Sequence, residues 1–197
     1  MQLIAITSPG PVANEAAVIN QLFAAGLPLL HLRKPEASDN HISQLLQQIH
    51  SRYYAQISLH SCHHLASRFG IKRLHFPEQL RAAQHANTWL QLAEQGILAS
   101  TSVHQLPVPP HFRQQFSYVF YGPVFNSISK PGYDSVLPQQ YQLPPQPVPV
   151  MALGGITPDT MRRVSQMNFN GAAVLGALWQ QPHKAPDTLA TLLSLCK

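Results

Sequence analysis

Acidic residues are scarce in this chain. Among its 197 residues, 8 are Asp or Glu and 13 are Lys or Arg, so the formal net charge of +5 reflects a shortage of acids rather than an excess of bases. The basic residues form no run and are not interleaved with aromatic side chains, which argues against a nucleic-acid partner. An anionic small molecule fits the same charge balance.

Long hydrophobic runs and a cysteine framework are missing too. No apolar stretch reaches the length needed to span a bilayer, and the N-terminus lacks the basic flank and extended apolar region of a signal peptide. The two cysteines, Cys62 and Cys196, lie far apart in the sequence. We therefore expect no disulfide framework, no membrane partner and a cytoplasmic location.

Short apolar runs alternate with helical patterns along the whole chain. The runs predict strands at residues 3–7, 29–33, 57–60, 73–76, 97–102, 118–121, 148–153 and 171–175. The helical patterns cover residues 14–25, 38–52, 62–69, 79–94, 157–167 and 186–196. Two further stretches, 106–110 and 138–149, are too rich in proline for regular helices and are expected to be extended loops.

This alternation predicts a parallel α/β fold. A hydrophobic content of 45% over 197 residues is enough for one domain spanning 1–197. Eight strand–helix repeats favour a compact (β/α)8 TIM barrel, with a doubly wound open sheet as the alternative.

A glycine pair follows the seventh predicted strand. Gly154 and Gly155 let the backbone approach a ligand closely with free N–H groups, while Thr157 suits a helix N-cap and Pro158 the first helical position. This combination favours an anion, most often a phosphate, over an ordinary strand–turn–helix join. A second glycine-bounded element at 171–176 strengthens that interpretation.

Histidines end four consecutive predicted strands. His31, His60, His75 and His104 end strands two to five, where a barrel carries its chemistry. Such a mouth allows metal binding, proton transfer or anion recognition, and ordinary hydrogen-bonded loop histidines are the alternative. A metal site needs convergent ligands, and the chain after His60 soon enters a helix, so we predict no metal site.

With these residues placed, the chain resembles the thiamine-phosphate synthase superfamily, which includes the thiazole tautomerases. His31-Leu-Arg33-Lys34 resembles the family motif Gln-Leu-Arg-x-Lys, and Ser100-Thr-Ser102-Val-His104 resembles Gly-x-Ser-x-His. Tyr121-Gly-Pro-Val-Phe125, with Ser129-Lys130 after it, resembles Gly-Pro-Val-Phe with its downstream Thr-Lys. Ala152-Leu-Gly-Gly-Ile156 resembles Ala-Ile-Gly-Gly-Ile, and Gly171-Ala-Ala-Val-Leu-Gly176 resembles Gly-x-Ala-Val. The resemblance implies an enzyme of thiamine biosynthesis that holds a thiazole phosphate at Gly154, Gly155, Leu175 and Gly176.

The departures from the synthase pattern concern the diphosphate half of the site. A synthase joins thiazole phosphate to hydroxymethylpyrimidine diphosphate and releases pyrophosphate with Mg²⁺, which needs carboxylate ligands. The family's Asn-Asp pair is replaced by His60 and Ser61, and the acid of the strand-four motif is missing from residues 75–80. Pro35 also stands where the family has its lysine, beside Lys34. The phosphate half of the site is preserved and the diphosphate half is not.

The remaining acids offer few substitutes for those ligands. Four of them begin predicted helices, where interaction with the helix dipole accounts for them, namely Glu15, Asp39, Asp159 and Asp187. Glu94 lies at the opposite end of the barrel, which leaves Glu36, Glu78 and Asp134 on the catalytic side. Glu78 alone does not complete a Mg²⁺ site.

We therefore expect a thiazole tautomerase that needs no cofactor. The resemblance implies His104 as the acid and base, and an imidazole with an ordinary pKa near ~6.5 moves protons in both directions at neutral pH. Arg33 suits a substrate carboxylate or phosphate because its guanidinium binds in bidentate fashion. The other expected substrate-binding residues are His31, His60, Ser102 and, in a loop covering the site, Lys130.

Two alternatives remain open at this point. One is a divergent thiamine-phosphate synthase that uses Mg²⁺, with Glu78 as a replacement ligand. The other is a non-catalytic barrel that binds a phosphorylated ligand. In each case the partner is a small phosphorylated thiazole, and apolar outer helices would permit a homodimer.

Overall fold

The strands of the protein close into a parallel barrel. The computed structural model describes residues 1–126, 137–138 and 140–196. Its strands are β1 (Gln2–Ile6), β2 (Leu30–Leu32), β3 (Ile57–Leu59), β4 (Arg73–Phe76), β5 (Leu98–Val103), β6 (Tyr118–Tyr121), β7 (Val150–Leu153) and β8 (Gly171–Val174), paired in chain order. β1 also pairs with β8, from Gln2 opposite Gly171 to Ala5 opposite Val174. That closure confirms the (β/α)8 prediction and excludes the open sheet.

Helices connect most of the strands. They are α1 (Glu15–Ala24), α2 (Asp39–Gln48), α3 (Leu65–Phe69), α4 (Glu78–Ala82), α5 (Thr88–Glu94), α6 (Pro158–Gln166), α7 (Gly176–Trp179) and α8 (Ala185–Leu195). Short 3-10 helices occur at Ser51–Gln56, Pro110–Gln114 and Pro182–Lys184. None of the helices within the described residues is both long and apolar enough to cross a membrane.

The connections agree with the sequence prediction in the two proline-rich stretches and differ from it elsewhere. The predicted helix over 38–52 ends at Gln48 and is followed by a 3-10 helix, and α7 was not predicted. The predicted helix over 79–94 is divided into α4 and α5. The proline-rich stretch after β5 forms only the 3-10 helix Pro110–Gln114, and the described residues between 137 and 149 form no helix. Proline lacks the N–H that a helix interior requires, so both outcomes follow from composition.

Two apolar layers surround the strands. Residues facing outward, such as Ile57, Leu59 and Val119, join the helices in the larger core. A smaller cluster fills the barrel interior and consists of Ile4, Ile6, Leu29, Tyr118, Phe120, Met151 and Ala173. Strands buried on both faces need apolar residues at successive positions, which explains the short apolar runs in the sequence. Polar side chains replace this apolar filling toward the carboxyl ends of β2 to β5.

Lys34 forms a buried ion pair with Glu15. Their Nζ and Oε2 atoms lie 2.6 Å apart, with 3% and 5% of the two side chains exposed. Lys34 also donates a hydrogen bond to the carbonyl of Gly10 at 2.7 Å. Burial raises the pKa of Glu15 and the neighbouring ammonium opposes that rise. The assignment of Glu15 to the helix dipole alone is therefore wrong, and Lys34 holds the loop between β1 and α1.

Candidate active site

A cavity of about 330 Å³ opens where the strands of the barrel end. Its wall combines the glycine turns after β7 and β8 with polar side chains from β2 to β5, over an apolar lining that includes Ile6 and Phe120. The polar and glycine residues that line it are Arg33, His60, His75, Glu78, Ser102, His104, Gly122, Gly154, Gly155 and Gly176. The volume suits a small-molecule ligand.

The turn after β7 requires glycine at two consecutive positions. Gly154 and Gly155 have φ angles of 98° and 66°, in the region that side chains rarely adopt. A Cβ atom on Gly155 would lie 2.6 Å from the Cβ of Phe125. The Thr160 hydroxyl donates to the Gly155 carbonyl at 2.9 Å and thereby holds the turn from α6. The turn is shaped by sterics and cannot accept other residues without moving.

Free N–H groups face the cavity from the two glycine turns. Among the hydrogen bonds of the described ranges, none uses the N–H of Gly154, Gly155 or Gly176 as donor. α6 begins immediately after the first turn, with Thr157 as N-cap in a reciprocal capping box with Thr160. This arrangement confirms the predicted helix start and leaves the backbone donors available to an anion.

His104 faces a carboxylate across the cavity mouth. Its Nε2 lies 3.7 Å from Oε2 of Glu78, and both side chains are about half exposed, at 57% and 49%. Arg81 lies 3.3 Å from the other oxygen of Glu78 and donates to the Thr101 hydroxyl at 2.8 Å. Arg81 therefore holds Glu78 in place beside His104. The sequence prediction did not include this pair, for which the Glu78–Arg81 spacing on α4 was the available signal.

His31 lies behind the cavity wall. It is fully buried, its Nδ1 is 2.8 Å from Nε2 of His60, and its Nε2 is hydrogen-bonded to the Tyr118 hydroxyl. Burial is the largest cause that lowers the pKa of both imidazoles well below its usual range. Both rings are therefore neutral at physiological pH.

His75 makes a second set of contacts beside this pair. Its Nδ1 lies 3.0 Å from the Ser100 hydroxyl and its Nε2 lies 3.1 Å from the Ser102 hydroxyl. Its ring stacks on His60, with centroids 4.1 Å apart and an interplanar angle of 26°. Burial lowers the pKa of His75 to about 3. Ser102 thus presents its hydroxyl at the cavity wall with an imidazole behind it.

The structure brings most of the predicted site residues together. Arg33, His60, Ser102, His104 and the glycine turns with Leu175 all line the cavity. His31 is buried one layer behind them, and Lys130 lies outside the described residues. His75 and Glu78 line the cavity although neither was predicted to bind substrate.

Residues 3–178 match the family model of thiamine monophosphate synthase. The chain belongs to this family. A thiamine-phosphate synthase of Yersinia pestis (strain Pestoides F) is 28% identical over 185 residues, covering 87% of this chain and 84% of the relative. The family prediction is thereby confirmed, and it identifies the chain as an enzyme.

Solved structures confirm the fold independently of sequence identity. A thiamine phosphate pyrophosphorylase from Bacteroides thetaiotaomicron aligns with a TM-score of 0.75 and 24% identity, covering 99% of this chain and 97% of that one. A thiamine phosphate pyrophosphorylase from Pyrococcus furiosus gives a TM-score of 0.70 and 15% identity, covering 99% and 95%.

The residues of this family member do not fit the Mg²⁺ ion that the synthase resemblance implies. Mg²⁺ prefers carboxylate and other oxygen ligands. His60 and Ser61 occupy the positions of the expected Asn-Asp pair, and Glu78 is the one carboxylate among the described residues of the cavity wall. Because Glu78 already contacts Arg81 and faces His104, it is not available as part of a carboxylate set.

The histidine cluster offers nitrogen ligands, but not in a convergent arrangement. One ring nitrogen from each of His31, His60 and His75 lies within 4.8 Å of the others. Tetrahedral zinc requires lone pairs that point at one centre. The rings of His60 and His75 stack nearly parallel, and both nitrogens of His75 are bonded to serine hydroxyls. The geometry is that of a hydrogen-bonded network.

Proposed function

We propose that this member of the thiamine monophosphate synthase family is a thiazole tautomerase that needs no metal ion. Its substrate is a non-aromatic thiazole carboxylate phosphate, which becomes aromatic when a proton is moved. The cavity wall carries the proposal, because it keeps the glycine turns for a phosphate and has His60 in place of a metal-binding residue.

Each role in the proposed reaction is assigned to a cavity residue by the chemistry of its side chain. The N–H groups of the two glycine turns bind the phosphate, as is usual after strands seven and eight of this fold. Arg33 binds the carboxylate at the end of β2. His104 takes a proton from the thiazole and returns it at the second position, and Glu78 stabilises the intermediate imidazolium. Ser102 and His60 contact the ring, and Lys130 covers the anion.

The second candidate is a divergent thiamine-phosphate synthase. Its support is the similarity to the Yersinia pestis thiamine-phosphate synthase over most of both chains. This function would require Mg²⁺ to be held by residues other than the family's carboxylates. A non-catalytic barrel that binds a phosphorylated ligand is the third candidate.

A paired turnover assay on the purified protein distinguishes these functions. One reaction contains the non-aromatic thiazole carboxylate phosphate alone, and the other contains aromatic thiazole phosphate, pyrimidine diphosphate and Mg²⁺. We expect aromatisation in the first and no thiamine phosphate in the second. Thiamine phosphate in the second reaction would establish the synthase, and binding without turnover in either would establish the third candidate.

Replacing Gly155 with alanine is expected to weaken phosphate binding by about 10- to 100-fold. The added Cβ meets Phe125 and shifts the turn, so a charge-assisted hydrogen bond worth about 1.5–3 kcal/mol is lost. Calorimetry with aromatic thiazole phosphate measures the change. Gly70→Ala is the matched control, because Gly70 has a φ of 67° with no neighbour within 4 Å of its Cβ position. Equal binding by the Gly155 and Gly70 variants would contradict the phosphate assignment.

The partners and location proposed for this enzyme follow from the same chemistry. We propose a small phosphorylated thiazole as its ligand, no nucleic-acid partner and a cytoplasmic location. A homodimer through the outer helices is compatible with these functions. Light scattering tests it by measuring the molar mass of the protein in solution.

A further inference from the structure

Three hydrogen-bonded side chains lead from the barrel interior to the cavity wall. The Tyr118 hydroxyl is bonded to Nε2 of His31, and Nδ1 of His31 lies 2.8 Å from Nε2 of His60. Tyr118 and His31 are buried, whereas His60 lines the cavity. We call these three side chains the interior row.

The Nδ1 atom of His60 opens onto the cavity. The other ring nitrogen is bonded to His31, and among the described residues no hydrogen bond is made to Nδ1. The buried side-chain polar atoms that lack a partner in the described ranges are Oε1 of Glu15 and Oγ of Ser58. Since Nδ1 of His60 is neither paired nor one of these buried atoms, it is reached from the cavity that its ring lines.

The interior row has two possible directions of donation, because burial keeps both of its imidazoles neutral. A neutral imidazole has one N–H group and one lone pair, so the hydrogen bond at one ring nitrogen fixes the state of the other. If Tyr118 donates to His31, then His31 donates to His60, and Nδ1–H of His60 faces the cavity. In the opposite direction His60 presents a lone pair there.

The Tyr118 hydroxyl favours the direction that ends in an N–H group at the cavity. Burial raises its pKa to about 12, so the hydroxyl keeps its proton, and Ser100 opposes that rise as a donor to the phenol oxygen does. Of the hydrogen bonds that the described residues make, the one at this hydroxyl joins it to His31. If His31 donated instead, the buried phenol proton would have no acceptor in hydrogen-bond geometry among those residues, which is unfavourable.

Arg33 places a guanidinium in the same cavity wall. None of the ion pairs formed by the described residues includes it. Its charge acts on His60 and, after burial, contributes to the lowered pKa of that ring. Arg33 supplies one positive charge with two parallel N–H groups, and neutral His60 adds a further donor without adding charge. This combination matches one carboxylate.

We propose that Arg33 and Nδ1–H of His60 together form a carboxylate site. Tyr118 and His31 are then positioning residues that hold His60 in its donating tautomer. The inference rests on the proposed function, in which Arg33 binds the carboxylate and His60 contacts the thiazole ring. It adds that the enzyme selects carboxylated thiazole phosphates over thiazole phosphates that lack the carboxylate. His104 keeps the proton transfer, because His60 only donates a hydrogen bond.

Calorimetry with two aromatic compounds, thiazole carboxylate phosphate and thiazole phosphate, tests the carboxylate site without turnover. We expect the wild type to bind the carboxylate compound at least about 10-fold more tightly, since charge-assisted hydrogen bonds are gained. Tyr118→Phe keeps the ring but removes the donor, so this preference is expected to fall by about three- to tenfold, with binding of thiazole phosphate unchanged. Tyr53→Phe, on the outer face against Phe23, is the matched control and is expected to keep the preference.

Nitrogen-15 NMR of the histidine rings examines the interior row in the wild type itself. We expect Nδ1 to be protonated and Nε2 unprotonated in both His31 and His60. The reverse pattern in both rings, or an unchanged preference in Tyr118→Phe, would overturn the positioning role. Equal affinity of the wild type for the two compounds would overturn the carboxylate site even if the protein aromatises its substrate. A preference for the carboxylate compound without aromatisation would overturn the tautomerase and leave the carboxylate site standing.

Discussion

Replacing His104 with asparagine is expected to lower the rate of thiazole aromatisation by about 10²–10⁴-fold, the usual contribution of a general acid–base group. Asparagine keeps a polar side chain of similar reach but cannot accept and return a proton at neutral pH. His104 is about half exposed at the cavity mouth, and the glycine turns proposed to bind the phosphate follow other strands. The affinity for aromatic thiazole phosphate is therefore expected to stay within about threefold.

Steady-state kinetics and calorimetry together test this prediction. His85→Asn is the matched control, because His85 is exposed between α4 and α5. Glu78→Gln is expected to lower the rate by at most about fivefold, since it removes the charge that faces His104 at 3.7 Å in a half-exposed pair. Full activity of His104→Asn would contradict the assignment and transfer the acid–base function to another residue of the cavity wall, such as His60. Loss of binding together with rate would instead make His104 a ligand contact.

Acidification is expected to unfold the barrel at mildly acid pH. In the unfolded chain each histidine titrates near its ordinary pKa of 6.5, whereas burial lowers the pKa of His75 to about 3 and lowers that of His31 as well. Below pH 6.5 the unfolded state binds protons that the folded state excludes, so the free energy of unfolding falls as the pH falls. Each buried histidine lowers the free energy of unfolding by about 1.4 kcal/mol per pH unit, so the two together lower it by about 3 kcal/mol per pH unit.

The expected loss is large compared with the typical stability of a domain, about 5–15 kcal/mol. Urea unfolding between pH 7 and pH 4 measures it. His75→Gln is expected to reduce the slope by about 1.4 kcal/mol per pH unit, because one titrating group is removed. The exposed control His183→Gln is expected to keep the wild-type slope. A stability that is independent of pH over this range would mean that the buried rings are accessible to protons in the folded state.

The sequence predicted the features that depend on local patterns. The strand order, the start of α6 at Thr157 and the glycine turn at Gly154 and Gly155 each depend on a few neighbouring residues. The helix over 79–94 was predicted as one piece because the pattern on both sides of the break is helical. Glu15 was assigned to a helix dipole because its partner, Lys34, lies on another loop.

By itself, then, the sequence determined the barrel, the glycine turns and the strand ends on which His31, His60, His75 and His104 lie. Only the tertiary structure decided what those side chains contact. His31 and Tyr118 are 87 residues apart, and their contact depends on the closure of the barrel, which brings inward-facing residues of β2 and β6 to the same depth. The pairing of Glu78 with His104 likewise depends on how α4 packs beside β5. The local sequence pattern specifies the backbone elements, whereas the register of strands that are distant in the sequence determines which side chains meet in the site.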